Sequence, residues 1–144
     1  MQVQDTGTRR FGIQNEREFD ATGHFERDVD PAVAVLAPLR HALRAWLESR
    51  DLSARSRDAV ILATHEAVAN AIQHSGTADR IRVRADAEPD GLTIEISDGG
   101  SWRIPTDPPP IERGRGLNLI RSLVSTATID TDAAGTTVRL HQRP

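Results

Sequence analysis

Polar side chains recur at intervals of four residues between Leu62 and Gly76, a segment with the composition of a helix: Glu66, Asn70 and His74. At that spacing they share one helix face, each about 6 Å further along the axis than the last. A carboxylate on this face could act as a general base, and an amide oxygen could bind a hard cation. The face could equally be an ordinary solvated helix surface. The segment alone leaves both interpretations open.

An aspartate and two glycines mark further segments that could bind a ligand. Asp98 ends a predicted strand and is followed by Gly100. Its carboxylate could accept a hydrogen bond from the exocyclic amine of a flat ring, for which Gly100 leaves room, although a turn aspartate is the default. Gly114 and Gly116 precede a predicted helix, where backbone N–H groups can bind phosphate. An ordinary glycine-rich helix entry would have the same sequence pattern.

Several other kinds of site are excluded. There is no Walker-type phosphate loop, and Leu119 stands where a dinucleotide-binding fingerprint requires glycine. His65 and Glu66 could begin a zinc-protease helix, but Ala69 occupies the place of the second histidine. The chain has no cysteine, which excludes disulfides and cysteine-bound zinc and is compatible with a reducing cytoplasm.

Composition narrows the class of protein. The chain has 144 residues, the size of one domain, and a net charge of -3 with both signs interspersed. With aromatic residues at 3%, it offers neither the charge nor the stacking surfaces of a direct nucleic-acid binder. No apolar run is long enough to span a membrane, and the first residues do not form a signal peptide. We therefore expect a cytoplasmic protein with no membrane contact.

Hydrophobic periodicity predicts the elements that must position these residues. We expect a polar tail at residues 1–22 and one domain at residues 23–144. Trp46 continues an apolar helix stripe, so it is predicted to lie in the core. The predicted elements are, in order, a strand at His24–Val29, a helix with Asp30 as N-cap and Pro31 as first residue that ends near Arg50, a helix capped by Ser53, strands at 80–85 and 92–97, an irregular proline-rich segment at 101–115, a helix from Leu117 to about Val124, and strands at 126–130 and 136–140. One mixed, mostly antiparallel sheet with helices on one face accounts for this order, an α+β two-layer sandwich.

The order of the motifs resembles the GHKL ATPase superfamily, which includes histidine kinases and gyrase-type ATPases. The shared pattern is Glu-x-x-x-Asn on a helix, Asp-x-Gly after a strand, a loop, Gly-x-Gly before a helix, and Gly-Thr-Thr in a closing strand. The resemblance covers about Phe25 to Gln142. It is strongest to the small bacterial anti-sigma-factor serine kinases, whose helix motif is similar to residues 65–74 and whose lid ends much like Glu112 and Arg113.

This resemblance implies roles for the residues that match the catalytic motif. The nucleotide would be ATP and the metal Mg²⁺. Asn70 would hold the Mg²⁺, and Glu66 would be the general base toward a serine or threonine hydroxyl. Arg113 would neutralise charge on the transferring group, as phosphoryl transfer requires.

The resemblance also implies how the nucleotide would be held. Asp98 would bind the adenine amine, with Gly100 beside the ring and Thr136 supporting Asp98. The residues that would surround the phosphates are Gly114, Arg115, Gly116 and Leu117.

The implied function is that of an ATP-dependent protein serine/threonine kinase acting as an anti-sigma factor. It would sequester a sigma factor and phosphorylate an anti-anti-sigma antagonist, and a homodimer is an open option. One alternative is a nucleotide-binding module that sequesters a partner without phosphotransfer. Another is the catalytic domain of a histidine kinase, which is disfavoured because the chain has no room for the dimerising helix pair of those enzymes.

Overall fold

One sheet and the helices on one of its faces make up the computed structural model, which describes residues 23–74, 80–98, 118–132 and 135–144. The predicted polar tail and the proline-rich segment lie outside these residues. The elements are β1 at His24–Val29, α1 at Leu36–Glu48, α2 at Ala54–His74, β2 at Ile81–Glu88, β3 at Gly91–Asp98, α3 at residues 118–123, β4 at Thr126–Asp132 and β5 at Gly135–Gln142.

The five strands are arranged in the order β1-β2-β3-β5-β4, and each neighbouring pair is antiparallel. Burial alternates along the strands, because successive side chains point to opposite faces. The buried face is covered by the helices, and the other face carries charged and polar residues. Trp46 is fully buried, as predicted. The predicted α+β two-layer sandwich is therefore confirmed.

The start of α1 differs from the prediction. Asp30 and Pro31 do not begin the helix; the chain makes a short 3-10 turn at Val33–Val35, and α1 starts at Leu36. Pro38 explains the shift. In a helix that began at Pro31, Pro38 would lie in the interior, where its ring clashes with the carbonyl one turn earlier. In the observed helix it lies in the first turn, where no intrahelical N–H donor is required.

Ser53 caps α2 as predicted. Its Oγ accepts a hydrogen bond from the backbone N–H of Ser56 at 3.0 Å, which satisfies one of the donors exposed at a helix start. The side of α2 that faces the sheet is apolar, with Val60 and Val68 buried. Although α2 extends over 21 residues, no helix in the described residues is both long and apolar enough to cross a membrane.

The β2–β3 hairpin needs glycine at its turn. Gly91 has a φ of 140°, and a Cβ at this position would collide with the carbonyl oxygen of Gln142. The strands β2, β4 and β5 each run further than their apolar alternation predicts. Polar residues beyond the core also pair with the neighbouring strand, and the periodicity of apolar residues cannot detect this pairing.

Candidate functional site

A row of polar residues lies at one end of the buried face of the sheet. Asp98 at the end of β3 is opposite Thr136 on β5, and Thr136 is opposite Thr131 on β4. The Oγ1 atoms of Thr131 and Thr136 are 3.4 Å apart. The same row continues on β2 with the apolar Ile81. Three oxygen-bearing side chains therefore adjoin at the margin of a hydrophobic core.

The polar row is largely shielded from water, which strengthens hydrogen bonds to its carboxylate. Asp98 is 7% exposed and Thr136 is 2% exposed. The neighbouring inward-facing residues of β3 are Ile94 and Ile96, which are also buried. Water competes weakly for hydrogen bonds in such surroundings. A hydrogen bond to a charged carboxylate is also stronger than one between neutral groups. An ionised carboxylate only accepts hydrogen bonds, so the complementary ligand group is a donor such as an amine.

The helix α2 packs on the two strands that carry Asp98 and Thr136. At its beginning, Ser56 Oγ accepts a hydrogen bond from Gln142 Nε2 at 3.2 Å, and α2 packs on β3 and β5. From Ser56 to Asn70 the helix advances about 21 Å. From Gln142 back to Thr136 the strand covers about 20 Å. Measured from this contact, Asn70 is about as far along α2 as Thr136 is along β5, and Glu66 is one helical turn before Asn70.

Glu66 and Asn70 are both half-buried side chains on this part of α2. Within the described residues, neither side chain has a hydrogen-bond or ion-pair partner. Among the described residues, the oxygens of both side chains are thus unpaired. The backbone of His74 ends α2, but its side chain is not described, so its predicted contact stays a prediction.

A neighbouring contact was not foreseen from the sequence. Arg40 on α1 lies 3.1 Å from Nδ1 of His65 on α2. A guanidinium group can only donate, so Nδ1 accepts and the ring proton lies on Nε2. This contact joins the two helices beside Glu66. No sequence signal identifies it, because it depends on how α1 and α2 pack.

Thr131 was also missed, although a signal for it existed. Apolar alternation predicts that β4 ends at Asp130, one residue before Thr131, whereas the strand continues to Asp132. Extending the final hairpin from its turn at Gly135 would have placed Thr131 opposite Thr136.

The residues predicted to contact the ring or the phosphates, or to neutralise their charge, lie outside the described residues: Gly100, Arg113, Gly114, Arg115, Gly116 and Leu117. The helix that these glycines were predicted to precede is present at residues 118–123.

Comparison with known proteins decides the family. Residues 29–141 match the model of the histidine kinase-like ATPase domain. The chain belongs to this family. Membership in the family implies that the domain binds ATP. A carboxylate at the end of β3 can accept a hydrogen bond from the amine of adenine, which is consistent with this.

Known structures show the same fold in larger proteins. The RsbU and RsbW domains of a Mycobacterium tuberculosis protein match with a TM-score of 0.69 and 24% identity, over 83% of this chain and 32% of that chain. The blue-light activated histidine kinase EL346 of Erythrobacter litoralis matches with a TM-score of 0.56 and 20% identity, over 80% of this chain and 42% of that chain. This chain thus spans about a third of the length of the first protein and less than half of the second.

Proposed function

We propose that the domain is an ATP-dependent protein serine/threonine kinase that also acts as an anti-sigma factor. The observation that carries the proposal is the position of Glu66 on α2. It lies one turn before Asn70, on a helix that packs on the strands carrying Asp98 and Thr136. In the proposed site a carboxylate, an amide and a buried acceptor would act together on one nucleotide.

Bound Mg·ATP would be held by three of the described residues. Asp98 would accept the hydrogen bond of the adenine amine, and Thr136 would orient the carboxylate. The amide oxygen of Asn70 would be the single protein ligand of Mg²⁺, an ion that usually takes few ligands from the protein. When bound, Mg²⁺ supplies positive charge against the phosphates.

Glu66 would act on the acceptor hydroxyl. A serine hydroxyl is a weak nucleophile until its proton is withdrawn, and a positioned carboxylate contributes typically about 10²- to 10⁴-fold in such steps. Glu66 would take the proton from the hydroxyl oxygen as that oxygen attacks. This role requires a carboxylate that no other protein group engages, and Glu66 meets it within the described residues.

The partners are proposed from likeness. The sequence motif around Glu66 resembles that of the anti-sigma-factor serine kinases, and one known structure of the same fold includes an RsbW domain. On this basis the domain would sequester a sigma factor and release it when an anti-anti-sigma protein binds. That antagonist would be the phosphorylated substrate.

A single-turnover assay tests the chemical step. Purified protein at saturating radiolabelled Mg·ATP is mixed with candidate anti-anti-sigma proteins, and labelled antagonist is followed in time. Glu66→Gln keeps the size and polarity of the side chain but removes its basicity. We expect it to bind Mg·ATP at least as well as wild type and to transfer phosphate more slowly by about two orders of magnitude or more.

Glu48→Gln is the matched control. It removes one carboxylate from an exposed position at the end of α1, and transfer should be unchanged. Undiminished transfer in Glu66→Gln would contradict the base assignment. No transfer by wild type to any candidate, with nucleotide binding intact, would favour a binding module that sequesters its partner without phosphotransfer.

A further inference from the structure

Thr131 belongs to the polar row that contains Asp98 and Thr136, and it comes from a third strand. It lies on β4 directly opposite Thr136, which lies directly opposite Asp98 on β3. Thr136, on the middle strand β5, is therefore a neighbour of both. The hairpin that joins β4 to β5 holds Thr131 and Thr136 in register, with Gly135 beside them at a φ of 140°. The backbone thus fixes Thr131 next to Thr136.

The hydroxyl groups of the two threonines are within reach of each other and are shielded from much of the solvent. Their Oγ1 atoms are 3.4 Å apart, and either hydroxyl could be the donor. Thr136 is 2% exposed and Thr131 is half-buried. The distance is longer than the typical value of about 2.7 Å between hydroxyl groups. Hydrogen bonds in catalytic sites are often long without substrate and shorten when it binds.

The number of protons decides the direction of this hydrogen bond in the proposed site. A threonine hydroxyl has one proton and two lone pairs, so it can donate once and still accept. An ionised carboxylate only accepts, so Thr136 can support Asp98 only by donating its proton to it. Thr136 then has no proton left for Thr131. The hydroxyl of Thr131 must therefore be the donor, and Oγ1 of Thr136 the acceptor.

We propose that Thr131 is a positioning residue that acts on the adenine through Thr136. Its hydroxyl would donate to Thr136, and Thr136 would donate to Asp98, whose carboxylate accepts the exocyclic amine of adenine. Each hydrogen bond in such a chain polarises the next and strengthens it. The bond would also hold the hydroxyl of Thr136 in the rotamer that faces Asp98. This role rests on the proposed function, to whose nucleotide site it adds a residue of β4.

Calorimetry with two nucleotides tests this role. One is Mg·ATP, and the other is the Mg²⁺ complex of purine riboside triphosphate, which lacks the exocyclic amine. Thr131→Val keeps the branched shape of threonine and removes the hydroxyl. We expect this variant to bind ATP about three- to tenfold more weakly, the effect of one hydrogen bond between neutral groups. Its affinity for the analogue should equal that of wild type, because the analogue makes no hydrogen bond through the amine.

Two matched variants separate the hydroxyl from the strand that carries it. Thr131→Ser keeps the hydroxyl and should bind ATP like wild type. Thr128→Val makes the same exchange at an exposed position on the outer face of β4, and it should leave both affinities unchanged. The melting temperature should be similar in all three variants, which would show that β4 remains in place.

A double-mutant cycle tests whether Thr131 acts through Thr136. In a Thr136→Val background no hydroxyl remains to accept the hydrogen bond of Thr131. Adding Thr131→Val to that background should therefore cause no further loss of ATP affinity. Losses that add up in the double variant would show that the two hydroxyl groups act independently and would overturn the role of Thr131.

The two nucleotides also distinguish failure of this role from failure of the proposed site. Thr131→Val that binds ATP as well as wild type does, while wild type prefers ATP over the analogue, would overturn only the role of Thr131. An equal loss of affinity for both nucleotides would also overturn it, since such a loss reports a general disturbance of the site. Wild type that binds both nucleotides equally, or neither, would overturn the proposed adenine site and this role with it.

Discussion

Thr64 is buried in α2 at 1% exposure, and its Oγ1 has no hydrogen-bond partner within the described residues. An unsatisfied buried hydroxyl costs about 1–3 kcal/mol, whereas valine has the same shape without the polar atom. Both residues are β-branched, so the helix itself should be little affected. We expect Thr64→Val to raise the free energy of unfolding by roughly 1 kcal/mol.

Denaturant unfolding measures this effect, with Thr64→Ser as the comparison. Serine keeps the hydroxyl and removes a methyl group, so it should lower stability. A loss of stability in Thr64→Val would show that the hydroxyl is satisfied by a bound water or by a residue outside the described part.

Asn70 is the residue on which metal dependence should rest. Its amide oxygen is the ligand type that Mg²⁺ prefers, and alanine removes it without disturbing a half-buried helix position. We expect Asn70→Ala to abolish Mg²⁺-dependent nucleotide binding while the melting temperature is retained. Gln73→Ala, at an exposed position of the same helix, should bind normally. Normal binding of Mg·ATP by Asn70→Ala would show that this helix face is an ordinary solvated surface with no role in binding.

At the scale of the elements, Gln142 holds several parts of the fold together. Its Nε2 donates to Ser56 Oγ at 3.2 Å, and its Oε1 accepts from the backbone N–H of Ser125 at 3.1 Å. The first bond fixes where α2 begins along β5, and the second fixes the entry to β4.

Replacing this side chain should loosen the contact between α2 and the sheet. We expect Gln142→Ala to lower the free energy of unfolding by about 1 kcal/mol, since the two bonds are partly exposed. Arg143→Ala changes the next residue, whose side chain has no partner within the described residues, and should have little effect. Equal stability of the two variants, measured by chemical denaturation, would contradict this role of Gln142.

The elements also show how far the sequence could predict the site. Helix spacing alone placed Glu66 and Asn70 on one face, because the period of a helix is fixed. The opposition of Asp98 and Thr136 across β3 and β5 has no local sequence signal, and a role for Thr136 beside Asp98 is expected only from family resemblance. It depends on β5 lying between β3 and β4, and no local pattern encodes the order of strands in a sheet. The predicted start of α1 is wrong for a similar reason. The apolar stripe extends through Pro38 and does not show that the helix must begin close enough to Pro38 to place it in the first turn.

At the scale of the whole molecule, the uncovered face of the sheet is rich in charge. Arg139 pairs with Glu95 at 2.8 Å and Arg82 with Asp28 at 3.0 Å. Exposed pairs of this kind contribute little to stability individually. His24 lies on the same face, at the beginning of β1. Its Nδ1 is 2.7 Å from Asp86 and its Nε2 is 3.1 Å from Glu26.

These contacts give stability a dependence on pH. The hydrogen bond to Asp86, and next that to Glu26, raise the pKa of His24 above its usual 6.5. The stabilisation is complete below the unfolded pKa and is lost as pH rises through the folded value. As the pH rises above 6.5, wild type should therefore lose more stability than His24→Gln. Parallel losses in the two proteins, measured by unfolding at each pH, would contradict this.

The central claim is that the polar end of the sheet binds an adenine nucleotide through Asp98. The carboxylate accepts from the amine of adenine and repels the carbonyl of guanine. Calorimetry of wild type with Mg·ATP and Mg·GTP, and of Asp98→Asn with Mg·ATP, tests this most directly. We predict that wild type binds ATP well and GTP poorly. Asp98→Asn should lose about 1.5–3 kcal/mol of ATP binding, and Asp90→Asn, in the exposed β2–β3 turn, none. Equal affinity of wild type for both nucleotides, or unchanged ATP affinity in folded Asp98→Asn, would contradict the account.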